Sequence, residues 1–178
     1  MFVYAKTPTV AVIDDVLTPE ECNEIVSSSK DFLVRSMTET QGVDKDRTSE
    51  GVFLPQSDFP EVCSRLSDIA NIPLANAEAM NILRYKEGQE YKPHYDALAE
   101  TDNQRILTCI VYLNNAAGGG TAFPHLNILV GSVQGRLLMF GNIDDQGSPH
   151  ELSLHQGLPP LEGEKWVFTL WFRKKELS

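Results

Sequence analysis

Cysteine is scarce in this chain. The 178 residues contain three, Cys22, Cys63 and Cys109. They are far apart and odd in number, so neither a disulfide framework nor a cysteine-based zinc site can be assembled from them. They read as small buried apolar residues, and a reducing, cytoplasmic setting is expected. No apolar run reaches the roughly 18 residues that a membrane helix needs. The first residues lack the basic stretch and apolar run of a secretory signal. Positive charge is also short: 15 Lys and Arg stand against 25 Asp and Glu, for a net charge of -10. Such a chain has no electrostatic footprint for nucleic acid or an anionic membrane. Histidine is scarce as well, with four in all, so a metal site has few residues to draw on.

Apolar residues are plentiful, at 42%, which is enough for a core and suits one domain over residues 1–178. Thr9–Val16 reads as an opening strand. Thr18-Pro19-Glu20-Glu21 starts a helix: a capping Thr, Pro in the first turn and acids behind it. That helix should end near Lys30. Phe32–Met37 reads as a short strand, and polar Thr38–Glu50 as a long loop of the kind that often forms a lid or binding loop. Phe59–Ile69 carries Val62, Leu66 and Ile69 on one helical face. From Glu78 onward short apolar runs alternate with turn residues: Ala79–Tyr85, Ile106–Leu113, Asn127–Val133, Leu137–Phe140, Glu151–His155 and Lys165–Arg173. This pattern predicts a mainly β jelly roll with early helices packed on one sheet, an α+β arrangement overall. In the last run Trp166, Phe168, Leu170 and Phe172 form a wholly apolar face. Lys165, Val167, Thr169, Trp171 and Arg173 form the other, as a pocket wall would. A lysine facing inward needs an anionic partner.

The chemistry centres on Tyr91-Lys92-Pro93-His94-Tyr95-Asp96. On an extended chain residues i and i+2 share a face, so His94 and Asp96 aim an imidazole and a carboxylate at one point. That is two thirds of the two-histidine, one-carboxylate set that leaves open positions on a non-haem iron. An H-x-D alone is a weak signal. Among the other histidines, His125 falls in a turn and His150 in a loop. His155 ends an alternating run and is the best third ligand, because a strand holds a ligand more rigidly than a loop. Lys165 opens the next run. If the two strands pair, a metal centre lies beside a buried cation, which suits an anionic co-substrate that chelates the metal and salt-bridges the lysine.

These residues carry a resemblance to a known family. The order Arg84-Tyr85, Gly88-Gln89, Tyr91, His94-Tyr95-Asp96, Gln104-Arg105, Gly118-Gly119, Thr121, Ser153-Leu154-His155, Gly157, Gly163 and Lys165-Trp166 is similar to the prolyl 4-hydroxylase branch of the 2-oxoglutarate- and iron(II)-dependent oxygenases. The resemblance runs from about Ile13 to Arg173. It implies a cupin-like double-stranded β-helix and a single dioxygenase domain. It further implies that His94, Asp96 and His155 bind Fe(II), and that Lys165 and Tyr85 bind the far carboxylate of 2-oxoglutarate, with Thr121 also on the cofactor side. Arg105, Trp171, Arg47 and Tyr91 are implied on the substrate side, Tyr91 more as support than as a catalytic group. The reaction implied is hydroxylation of a prolyl residue at C4 in a peptide or protein, using O2 and turning 2-oxoglutarate into succinate and CO2, with ascorbate as a reductant. The protein is expected as a monomer or homodimer. One departure stands out: the family often has Gly-Gly-Glu-Thr where this chain has Gly118-Gly119-Gly120-Thr121. Two other readings stay open. One is the same chemistry on a free amino acid or another protein side chain; the other is a non-catalytic, cupin-like metal-binding module.

Overall fold

The helix starts follow their sequence signals. The Thr18 hydroxyl accepts from Glu21 N–H, and the Glu21 carboxylate accepts from Thr18 N–H, closing a reciprocal cap on α1 (Pro19–Ser29). Helix α2 (Pro60–Ala70) again has Pro in its first turn and stops at Asn71, whose φ of 53° is left-handed. The computed structural model describes residues 1–35, 48–99 and 101–177. The expected Thr38–Glu50 loop therefore lies largely outside the described residues, as does Arg47.

Among the described residues the strands form two antiparallel sheets. The larger has eight strands in the order β1 (Phe2–Lys6), β2 (Thr9–Ile13), β10 (Leu137–Gly141), β7 (Arg105–Tyr112), β12 (Glu164–Arg173), β5 (Met80–Lys86), β4 (Glu50–Leu54) and β3 (Val34–Arg35). The smaller has four, in the order β6 (Tyr91–His94), β11 (His155–Gly157), β8 (Ala116–Phe123) and β9 (Ile128–Ser132). Alternation along β12 decides the layering. Trp166, Phe168, Leu170 and Phe172 join Cys22, Ile25, Val62, Cys63 and Leu66 in a core between helices and large sheet. On the opposite face Val167 joins Leu83, Tyr85, Tyr112 and Phe140 of the large sheet and Phe123 and Val130 of the small one. This second core lies between the sheets and closes the base of the site. The three cysteines are buried and unpaired, as expected.

Several elements differ from the sequence reading. Glu151–His155 is not a strand: Glu151–Ser153 is a 3-10 turn, started where the His150 imidazole accepts from Leu152 N–H, and His155 opens β11 instead of ending a strand. Strand β11 pairs with β6 and β8, not with β12, so His155 and Lys165 belong to different sheets. Strands β1, β4 and β8 were not expected, and the extended chain read at His94-Tyr95-Asp96 is strand only as far as His94, where β6 ends. Strand β8 holds Gly118, Gly119 and Gly120, residues that read as a break because glycine has no preference for extended backbone. Of the expected strand Phe32–Met37, Phe32 belongs to a 3-10 turn and Val34–Arg35 form β3, while Ser36 and Met37 lie outside the described residues.

Candidate active site

The small sheet brings the histidines together. In the β6–β11 register His155 lies directly opposite His94, and their ring centroids are 4.2 Å apart. Asp96 follows two residues after His94, just beyond the end of β6. Ligand atoms of His94, Asp96 and His155 all lie within 4.8 Å of one another, and theirs is the one such grouping among the described residues. His125 and His150 are not in it. His125 is tied to the Glu151 carbonyl through Nδ1.

Main-chain carbonyls fix both imidazoles. His94 Nδ1 lies 2.7 Å from the Lys92 carbonyl, and His155 Nδ1 lies 2.9 Å from the Ser153 carbonyl. A carbonyl only accepts, so each Nδ1 carries the proton and each Nε2 keeps a lone pair. Both Nε2 atoms face Asp96, at 3.5 Å from Oδ1 and 3.7 Å from Oδ2. Burial, and then the neighbouring His94 imidazole, push the His155 pKa down to about 4. Burial works against ionisation of Asp96, but the neighbouring His155 and His94 imidazoles and the Trp171 indole N–H outweigh it and hold the carboxyl well below its usual range. With His155 neutral at neutral pH and Asp96 ionised, the site offers two imidazole nitrogens and one carboxylate, the donor set suited to non-haem Fe(II).

Asp96 is itself oriented. Its Oδ2 accepts from the Thr108 hydroxyl at 2.8 Å and from the Trp171 indole N–H at 2.9 Å. Arg105 stacks over the Trp171 ring at 4.0 Å and makes two 2.7 Å bonds to Glu78, which also accepts from Arg173. Arg105 is thus part of a network behind Trp171 and does not line the cavity. Tyr91 stacks flat on His94, with centroids 3.5 Å apart.

The triad opens into a cavity walled by Leu83, Tyr91, Ile110, Val167 and Trp171 among others. Tyr85, Thr121 and Lys165 also line it, so the structure brings together every expected metal and cofactor residue. Lys165 is 2% exposed. Its ammonium donates to the carbonyls of Gly120 and Leu158, at 3.1 and 3.3 Å, and lies 4.8 Å from the Tyr85 ring centroid. No carboxylate among the described residues pairs with it, and burial pushes its pKa down to about 7. The Thr121 hydroxyl accepts from Tyr112. Gly157 shapes the space between these groups: a Cβ there would stand 3.6 Å from Lys165 Nζ and 3.7 Å from the Tyr85 hydroxyl. The bare glycine leaves room for a small anion between one ammonium and one hydroxyl. The residues present therefore fit both an iron ion and a carboxylate-bearing co-substrate. Sequence reasoning missed Thr108 and Glu78. The signal for Thr108 was a lone polar residue on the inward face of β7.

Comparison with known proteins agrees with this geometry. Residues 80–173 match the model of the 2OG-Fe(II) oxygenase superfamily. The chain is 34% identical over 204 residues to prolyl 4-hydroxylase 5 of Arabidopsis thaliana, covering 96% of this chain and 70% of the plant protein. It is 32% identical over 205 residues to prolyl 4-hydroxylase 1 of the same plant, covering 99% and 72%. The crystal structure of a viral collagen prolyl hydroxylase from Paramecium Bursaria Chlorella virus-1, a 2-oxoglutarate complex, superposes with a TM-score of 0.76 and 27% identity over 92% of this chain and 95% of the other. A two-histidine, one-carboxylate centre on a double-stranded β-helix, with a buried lysine in the same cavity, defines a 2-oxoglutarate-dependent dioxygenase. Within that class the chain belongs to the prolyl 4-hydroxylase branch of the 2-oxoglutarate and Fe(II) oxygenases. Its cofactors are Fe(II), 2-oxoglutarate and O2.

Proposed function

We propose that this dioxygenase hydroxylates a prolyl residue at C4 within a peptide or protein, with His94, Asp96 and His155 holding Fe(II) and Lys165 and Tyr85 holding the far carboxylate of 2-oxoglutarate. The observation that carries this reading is the convergence of the triad and Lys165 on one cavity. The iron, with 2-oxoglutarate and O2, supplies the oxidising power that replaces C–H by C–OH while 2-oxoglutarate leaves as succinate and CO2. The protein supplies position. The Lys92 and Ser153 carbonyls keep each imidazole in the tautomer that presents Nε2. The Lys165 ammonium gains an ionic partner when the co-substrate enters, and Tyr85 adds a hydrogen bond to the same carboxylate. Leu83, Ile110 and Val167 keep that end of the cavity dry. Thr121, joined to Tyr112, stands on the cofactor side.

On the substrate side we assign Trp171 and Tyr91, which wall the cavity, and Arg105, which backs Trp171. Arg47 completes the set by sequence resemblance. We further propose one catalytic domain over residues 1–178, ascorbate as reductant, a monomer or homodimer, and a cytoplasmic setting that suits three unpaired cysteines.

Product mass spectrometry tests the substrate. Incubation with Fe(II), 2-oxoglutarate and a panel of proline-containing peptides is expected to add 16 Da, one oxygen atom, to a prolyl residue, with succinate released in step. Oxygen added to free proline and to no peptide would overturn the peptidyl assignment. Fe(II)- and O2-dependent succinate release would still support the cofactor assignment in that case.

A further inference from the structure

The side chain of Asn142 takes no part in the reading given so far, yet it is buried at 0% exposure directly after β10. Its Nδ2 lies 2.8 Å from Thr108 Oγ1, and Thr108 Oγ1 lies 2.8 Å from Asp96 Oδ2. The direction of this chain is forced. A carboxylate only accepts, so the single Thr108 hydroxyl proton goes to Asp96. The hydroxyl lone pair then takes an amide hydrogen from Asn142. That choice leaves the buried Asn142 Oδ1 with no partner among the described residues. An unpartnered buried carbonyl oxygen costs stability, so the amide is arranged for its donor and not for its acceptor.

The main chain of the same residue leads to a second ligand. The Asn142 carbonyl accepts from His150 N–H at 2.9 Å. The His150 carbonyl accepts from Ser153 N–H and from the Ser153 hydroxyl. The Ser153 carbonyl in turn accepts from His155 Nδ1. Asn142 thus stands where the supports of Asp96 and of His155 meet.

We propose that Asn142 is a positioning residue for the metal centre, its amide fixing the Thr108 hydroxyl so that Asp96 holds its orientation toward the two Nε2 atoms. The proposal rests on the assignment of His94, Asp96 and His155 as the metal ligands. Outer hydrogen-bond partners of metal ligands commonly change affinity by about 10–100-fold when removed. Asn142→Leu keeps the branched skeleton and deletes the donor; Thr108→Val keeps the shape and deletes the hydroxyl; Thr108→Ser keeps the hydroxyl.

The readout is the Mn(II) dissociation constant of the full chain, from the electron paramagnetic resonance of the free ion, alongside the thermal midpoint without metal. Asn142→Leu and Thr108→Val are each expected to weaken Mn(II) about tenfold or more, and Thr108→Ser to bind as the unaltered chain does. The double variant Thr108→Val/Asn142→Leu should bind no worse than Thr108→Val alone, because both act through one hydroxyl. If Asn142→Leu does not fold, Asn142→Ala is measured in its place. Unchanged Mn(II) affinity in the Asn142 variant, or losses that add in the double variant, would overturn the proposal. Asp96→Ala separates the two levels. Equal Mn(II) binding in Asp96→Ala and the unaltered chain would overturn the ligand assignment itself. Binding that depends on Asp96 but not on Asn142 would overturn only the role of Asn142.

Discussion

Lys165 is the residue whose behaviour depends most on what fills the cavity. Its ammonium is buried with two carbonyls and no carboxylate among the described residues. Burial lowers its pKa in the folded chain from 10.5 to about 7. Below pH 7 the lysine is protonated in folded and unfolded chains alike, and the fold bears the full cost of the buried charge. Between pH 7 and about 10.5 the unfolded chain binds more protons than the folded one, so stability contributed at this site rises with pH. Lys165→Met should therefore be more stable than the unaltered chain at pH 6–7 without co-substrate, and the gap should narrow as pH rises toward 10, as denaturant unfolding will report. An unchanged gap would mean that the amine is not titrating there. For 2-oxoglutarate the order reverses: the same variant should lose about 3–5 kcal/mol of binding, because it leaves a buried carboxylate unpaired. Anaerobic calorimetry on the unaltered chain should show affinity falling above pH 7, approaching tenfold per unit.

Strand β11 carries the site's geometry in three residues. It begins with His155, placed opposite His94, and ends with Gly157, which faces Tyr91 and Thr121 on its neighbours. A side chain at Gly157 would enter the gap between Lys165 Nζ and the Tyr85 hydroxyl. Gly157→Leu is expected to raise the 2-oxoglutarate dissociation constant by tenfold or more while leaving Mn(II) affinity within about twofold, since steric exclusion acts at the far end of the cavity from the metal ligands. Equal losses of both would mean that the strand itself had moved. This strand was also the hardest to read from sequence. Three residues give too little alternation to register, and Glu151-Leu152-Ser153-Leu154-His155 alternates well yet turns, because the His150 side chain caps it locally. Ten-residue β12 was legible in full, down to which face meets the helices and which meets the cavity, because burial on two unlike faces writes a period of two over many positions. His94, Asp96, His155 and Lys165 were legible because few residues could do their chemistry. Thr108 and Asn142 were not, because a hydrogen-bond chain across β7 and β10 leaves no spacing in the sequence. Gly120 has an account as well: a Cβ there would run into the Val130 carbonyl, so the acid common in the family has no room on this backbone.

At the scale of the whole molecule the chain is a strongly acidic shell, of net charge -10, around a small, mostly apolar cavity. That charge should favour neutral or basic substrate segments by steering and repel acidic ones. A proline peptide flanked by lysines should show a lower KM than its glutamate-flanked counterpart, with the difference shrinking as salt rises from 20 to about 500 mM and the Debye length falls. A preference that salt does not touch would point to local contacts instead. The account as a whole stands on two anchor points in one cavity, the triad for the metal and Lys165 for the co-substrate. The most direct measurement is a crystal structure grown anaerobically with Mn(II) and 2-oxoglutarate. The account predicts the ion within about 2.0–2.3 Å of His94 Nε2, the Asp96 carboxylate and His155 Nε2, with the far carboxylate of 2-oxoglutarate on Lys165 Nζ and the Tyr85 hydroxyl. An ion held by His125 or His150, or a 2-oxoglutarate bound away from Lys165, would contradict it.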